Sequence, residues 1–90
     1  MYILANRVNG ALYVGVTRSL ERRMWQHKTG ANEGYSKRYG LNRLVYCEDF
    51  RDVTNAIARE TQLKGWRRSR KISLIRKQNP GWEDLSATWF

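Results

Sequence analysis

A chain of 90 residues with 17 Lys and Arg against 8 Asp and Glu, net +9 at pH 7, has room for one domain and carries a strong positive charge. Its 41% hydrophobic content, with four Trp, five Tyr and two Phe, excludes a disordered tail. The single cysteine, Cys47, excludes an internal disulfide or a cysteine-built zinc cluster and points to a reducing cytoplasm, while no apolar run approaches the roughly 20 residues of a membrane span and no secretory leader opens the chain.

Residues 2–8 (YILANRV) and 11–17 (ALYVGVT) read as two strands flanking Asn9-Gly10, a strong two-residue hairpin signal. With that turn Tyr2 opposes Thr17, Leu4 opposes Gly15 and Asn6 opposes Tyr13. Tyr2 and Tyr13 then share one face but stand four residues apart, about 13 Å along the strand. Gly15, in mid-strand, leaves a groove that admits either a phosphate or a bulky neighbour. Ser19 is placed to cap a helix running to about Thr29, with Gly30 as its left-handed stop. Leu20 and Met24 form the inward stripe of that helix, with His27 three residues further on; Arg23 and His27 are neighbours at i, i+4. Residues 30–40, with Gly30, Gly34 and Gly40, read as a loop, and Leu44–Cys47 as a short central strand. Asp52 or Thr54 caps a second helix to about Lys64, where Gly65 marks an end or a kink. Ser69 caps a third to about Lys77, stopped by Asn79-Pro80. Trp82, Trp89 and Phe90 predict a tail that docks back on the core. The order ββαβαα describes a small α/β (α+β) domain spanning 1–90, a three-stranded antiparallel sheet with flanking helices.

The charge is unevenly placed. Between Arg59 and Lys77 there are eight basic residues and one acid, Glu60. Arginines interleaved with aromatics are the footprint of a polyanion, and nucleic acid fits better than an anionic membrane because no strongly amphipathic helix accompanies them. Glu60 stands out for a second reason. Val53, Ala56, Ile57 and Leu63 define the expected buried stripe of the second helix, and Glu60 falls within it. A carboxylate turned inward needs a cation, either an arginine or a hard divalent ion shared with phosphate oxygens.

The spacing Tyr2…Tyr13-Val14-Gly15, together with LYVGVT, LERRMWQHK, ARETQLKGW and NPGWEDL in order, resembles the GIY-YIG nuclease superfamily over essentially the whole chain. The likeness is greatest to small stand-alone bacterial members, which are similar to the nuclease module of the excinuclease C subunit. The resemblance implies a DNA endonuclease that uses one Mg²⁺ or Mn²⁺ ion. It implies Tyr2 as general base or relay, Tyr13 ordering water and the scissile phosphate, Arg23 stabilising phosphoryl charge and His27 accepting a proton from the tyrosine. Glu60 would be the metal ligand, with Gly15 and Asn79 supporting. The cations expected to hold DNA are Arg22, Lys28, Lys37, Arg38, Lys64, Arg67, Arg68, Arg70 and Lys71. Two departures stand out: the first motif's glycine is missing, leaving Tyr2 beside a terminus expected to fray, and Val16 stands where some relatives carry lysine. Two further readings belong to other classes: a non-catalytic nucleic-acid-binding module on the same fold, and a partner subunit using a Trp66 and Trp82 surface.

Overall fold

The structure is a computed structural model that describes residues 1–29 and 40–89. Strands β1 (Tyr2–Ala5), β2 (Leu12–Gly15) and β3 (Arg43–Cys47) and helices α1 (Leu20–Thr29), α2 (Val53–Lys64) and α3 (Arg68–Gln78) follow one another in the expected order ββαβαα. The sheet is antiparallel with β1 in the centre, in the order β2-β1-β3. Each face buries its own cluster. Tyr2 and Leu4 turn toward Met24 of α1, whereas Ile3, Ala5 and Val14 pack with Leu63 of α2 and Ile75 of α3. Period-two alternation on a strand covered on both faces makes every residue of β1 buried. Among the described residues no helix is long and apolar enough to cross a membrane.

The hairpin departs from the expected register. Tyr2 opposes Gly15, Ile3 opposes Val14 and Leu4 opposes Tyr13, so the two strands are shorter and slide by two residues relative to the Asn9-Gly10 turn reading. The cause is Asn6. Its side-chain oxygen accepts from the Ala11 amide at 2.9 Å, and the Gly10 amide bonds the Arg7 carbonyl at 3.0 Å. The chain therefore turns over residues 7–10 with only Asn9 left-handed, at φ 55°. Gly10 is needed for space instead: a Cβ there would lie 1.9 Å from Asn6 Oδ1. The Arg68 guanidinium then clamps the turn, donating to the Asn9 and Gly10 carbonyls at 2.6 and 2.5 Å. A slip of two preserves the faces, so Tyr2 and Tyr13 still project together, now two residues apart.

Tyr2 is well anchored. The Met1 amino group donates to the Glu48 carbonyl at 3.0 Å and the Glu48 amide returns to the Met1 carbonyl at 2.8 Å, extending the ladder past Tyr2. Met1 and Tyr2 are thus tied into the sheet by backbone hydrogen bonds. A bulge between β1 and β3 puts Val45 and Tyr46 on the same face, which accounts for three consecutive buried residues, Leu44 to Tyr46.

Helix ends follow the sequence in part. Asp52 caps α2 by accepting from the Thr54 amide at 2.8 Å, and Gly65 ends it in right-handed geometry. Ser69 does not cap α3; Arg67 holds that position, with no side-chain bond to the helix. The expected stripe of α2 is also narrower than its spacing suggests. Ala56 and Leu63 are buried, but Val53 is 41% and Ile57 50% exposed. Gly30, Gly34, Lys37, Arg38 and Phe90 lie outside the described residues.

The tail does dock. Trp82, 1% exposed and at φ 54°, fills the cluster beneath α2 and α3, which rules out a Trp66 and Trp82 surface for a partner. Asn79 binds it in place: its amide donates to the Val45 and Glu83 carbonyls at 3.2 and 2.7 Å and accepts from the Glu83 amide at 3.1 Å. Along the outer edge of β3, the Leu85 amide donates to the Leu44 carbonyl at 2.8 Å while Asp84 accepts from the Leu44 amide at 3.2 Å. Lys28 of α1 closes this corner through an ion pair with Asp84.

Burial pushes the Asp84 carboxyl up, but hydrogen bonds from Lys28, Ser86 and Leu44 outweigh it and hold the group below its ordinary value of 3.8. A carboxyl depressed in the folded state stabilises above the ordinary value and loses that contribution as pH falls through the folded one. Glu48, gripped by Arg59 and Tyr46 against the opposing effect of burial, behaves alike. The urea midpoint should therefore fall as pH drops from about 6 to about 3, with a shallower slope in Asp84→Asn.

Candidate active site

The corrected register brings Tyr2 across Gly15. A Cβ on that glycine would meet Tyr2 Oη at 2.6 Å, Tyr2 Cζ at 2.7 Å and Tyr13 Cε1 at 2.9 Å. Glycine in mid-strand is thus explained by a ring, the bulky-neighbour alternative. Gly15→Ala should destabilise the fold by about 1–3 kcal/mol through overpacking, with the tyrosine near-UV circular dichroism altered. An unchanged melting curve and spectrum would show that the rings do not lie as described.

Three rings meet here. Tyr2 and Tyr13 have centroids 6.2 Å apart, and His27 stands 6.2 Å from Tyr2 and 6.0 Å from Tyr13. The i, i+3 relation of Met24 to His27 places the imidazole on the inward side of α1, above the tyrosines. Burial makes the Tyr2 phenol a weaker acid than ordinary tyrosine; Tyr13 adds to this by charge and by a side-chain hydrogen bond, Arg23 opposes it, and Glu60 reinforces it. The charges of an α1 arginine and an α2 carboxylate thus both reach Tyr2, although the two helices cover opposite faces of the sheet. His27 is shifted down from its ordinary value of 6.5 by burial and then by Arg23. It is therefore neutral near pH 7, and neither ring nitrogen has a hydrogen-bond partner among the described residues. Two bare buried nitrogens are costly, about 1–3 kcal/mol each; such groups call for a functional explanation.

Glu60 is half-buried and pairs with Lys64 at 3.2 Å. The salt-bridge alternative is thus realised with a lysine instead of an arginine. An i, i+4 pair whose lysine is this exposed contributes only about 0.3–0.5 kcal/mol and is easily exchanged. Among the described residues no three His, Cys, Asp or Glu gather as a metal cage. One carboxylate suits a hard ion that keeps its waters and shares phosphate oxygens; zinc, which takes three or four protein ligands, does not suit it.

A cleft of about 520 Å³ is walled by Arg18, Arg22 and Arg23 and by Thr17 and Ser19 at the start of α1; none of the three rings lines it. Arg18 was missed from sequence. The signal was available: Thr17-Arg18-Ser19 precedes a helix, where backbone amides and cations favour anions. The other expected DNA contacts are dispersed. Lys28 is held by Asp84 and the Asn42 carbonyl, Arg68 by the hairpin turn, and Arg70 stacks 4.0 Å over Trp66. None of Lys64, Arg67, Arg68, Arg70 and Lys71 lines this cleft. Asn79 spends its hydrogen bonds on β3 and the tail, at the sheet edge away from β2.

The model of the GIY-YIG catalytic domain matches residues 1–73. The chain belongs to the GIY-YIG family. It is 34% identical over 67 residues to a UPF0213 protein of Staphylococcus saprophyticus, covering 74% of this chain and 82% of that one. It is 36% identical over 75 residues to a UPF0213 protein of Clostridium perfringens, covering 83% and 80%. A UPF0213 protein of Oceanobacillus iheyensis is 33% identical over 78 residues, covering 87% and 90%. No solved structure matches. The GIY-YIG match takes in Tyr2, Tyr13, Gly15, Arg23, His27 and Glu60 and stops before Asn79.

Proposed function

We propose that residues 1–90 act as one nuclease domain, a divalent-metal-dependent DNA endonuclease working in the cytoplasm on branched, nicked or otherwise distorted DNA of the kind met in repair or recombination. The observation that carries this reading is the bare, neutral imidazole of His27 against two tyrosines, with the Arg23 charge acting on both His27 and Tyr2.

Burial holds Tyr2 as a phenol, so it serves as a relay and does not store charge. As the attacking water gives up a proton to the tyrosine oxygen, the phenolic proton passes to His27, whose low affinity for protons keeps it ready as the base. Contacts of this kind shorten when substrate arrives. Before substrate binds, the Tyr2 hydroxyl is hydrogen bonded to Tyr13 and not to His27, so the relay requires it to turn to the imidazole. Arg23 faces the phosphate in the arginine-walled cleft and stabilises the charge that grows on its oxygens. Glu60, released from Lys64, would hold Mg²⁺ or Mn²⁺. When bound, that ion polarises the phosphodiester and neutralises the leaving oxygen. Arg18 and Arg22 would grip flanking phosphates, while Lys64, Arg67 and Lys71 would offer a second, more distant basic surface.

The test is a panel of duplex, nicked, flap and branched DNA incubated with Mg²⁺ or Mn²⁺. Wild-type protein should cut at least one substrate, and Glu60→Ala and Tyr2→Phe should bind it but leave it whole. Wild-type rates in Glu60→Ala would overturn the assignment of the carboxylate. Salt-sensitive binding without cutting of any substrate would favour the non-catalytic module instead.

A further inference from the structure

A second cleft, about 750 Å³, opens between the start of α1 and the segment joining β3 to α2, and Tyr2 lies in its wall. It adjoins the arginine cleft, since Val16, Thr17, Arg18 and Val53 border both. Its character is different. Phe50, 39% exposed, faces it beside Val53, and three of the chain's eight acidic residues, Glu48, Asp49 and Asp52, stand along it. Two of these are already engaged: Glu48 holds Arg59 at 3.1 Å, and Asp52 caps α2. Asp49 has neither an ion pair nor a hydrogen bond among the described residues.

Its lining mixes three carboxylates with Arg18 and Arg51, whereas every charged side chain of the neighbouring cleft is an arginine, so it suits a run of backbone phosphates less well. It suits the other half of a nucleotide. The volume falls within the roughly 300–1,000 Å³ of small-ligand sites. An exposed aromatic offers a stacking face, and a free carboxylate accepts from an exocyclic amine but repels a carbonyl edge. We infer that this cleft receives a nucleobase displaced from the helix next to the scissile phosphate, with Phe50 stacking on it and Asp49 accepting from the exocyclic amino group that cytosine, adenine and guanine carry and thymine lacks. Arg18, shared by both clefts, and Arg51 at the rim would hold the phosphates on either side. This rests on the nuclease reading and deepens it: the preferred substrate carries an unpaired or readily extruded amino-bearing base, C, A or G, and not T, at the cut. A stacked, paired base cannot enter, so distorted DNA is selected at the level of binding.

The experiment measures affinity in chelator, where cutting plays no part, for otherwise identical duplexes that are fully paired or contain a single unpaired C, A or T. Wild-type protein should bind the unpaired C and A forms on the order of tenfold more tightly than the paired duplex or the unpaired T. Phe50→Ala should lose that gain while binding paired DNA as before, and Phe50→Trp should keep it. Asp49→Asn should erase the preference for C and A over T. Both positions are exposed, and unchanged melting curves would establish that the variants are folded. Equal wild-type affinity for paired and unpaired DNA would overturn the inference, as would a Phe50→Ala protein that binds the unpaired C form like wild type. Either result leaves the nuclease assignment standing if the metal-dependent panel shows cutting. Preferential binding without cutting would instead uphold the cleft and remove the nuclease assignment.

Discussion

Trp82→Ala should destabilise the protein by about 3–5 kcal/mol, against a total of only about 5–13 kcal/mol for a chain of this length. The indole is 1% exposed and packs with Leu63 and Ile75, so its removal opens a cavity shared by α2 and α3. Urea denaturation followed by far-UV circular dichroism measures the loss. A drop below about 1 kcal/mol would mean that the tail is not docked. Two companions refine the point. The indole N–H has no partner among the described residues, so Trp82→Phe, which leaves a smaller cavity and breaks no hydrogen bond there, should cost less than alanine. The backbone at φ 54° favours glycine, so Trp82→Gly should be no worse than alanine despite the missing methyl.

Arg23→Ala should lower the cleavage rate on the order of 10²- to 10³-fold, the scale of a lost donor to developing charge. A second signature separates this from simple loss of DNA affinity. Arg23 lies behind burial as a cause of the depressed His27 value, so removing it raises the imidazole toward its ordinary 6.5. The base form is then lost at a higher pH, and the acid limb of the rate profile should move upward. Arg23→Lys, which keeps charge but not the planar fork, should restore the limb better than the rate. A variant with reduced binding and an unshifted limb would place Arg23 in substrate capture only.

The sequence carried the element order because its signals are local. Asp52 as a cap, Gly65 at a helix end and the apolar alternation of YILA each act within a few residues. What it hid was decided at long range. The hairpin register depends on an Asn6 side chain taking a ladder position, locked by Arg68 from fifty-eight residues away. The same register change converted Tyr2 and Tyr13 from distant neighbours to a ring pair. Spacing on α2 marked Val53 and Ile57 as apolar without revealing that the sheet covers only the line of Ala56 and Leu63. For the site, residue type and helical spacing were enough to pair Arg23 with His27. They could not show that three arginines, Arg18 included, wall one cleft, or that Lys28 is committed to Asp84.

The closing of the β3 edge by Leu85 and Asp84 bears on how portable this domain is. The family match ends at residue 73, partway along α3, yet Ile75, Asn79, Trp82 and Asp84 lie beyond it and complete the core and the sheet margin. A fusion or minimal nuclease cut at the family boundary would expose the Leu44 backbone as a template for strand addition and leave apolar residues of α2 and α3 uncovered. Grafts of this fold should carry the chain through Ser86, whose amide and hydroxyl both fasten Asp84.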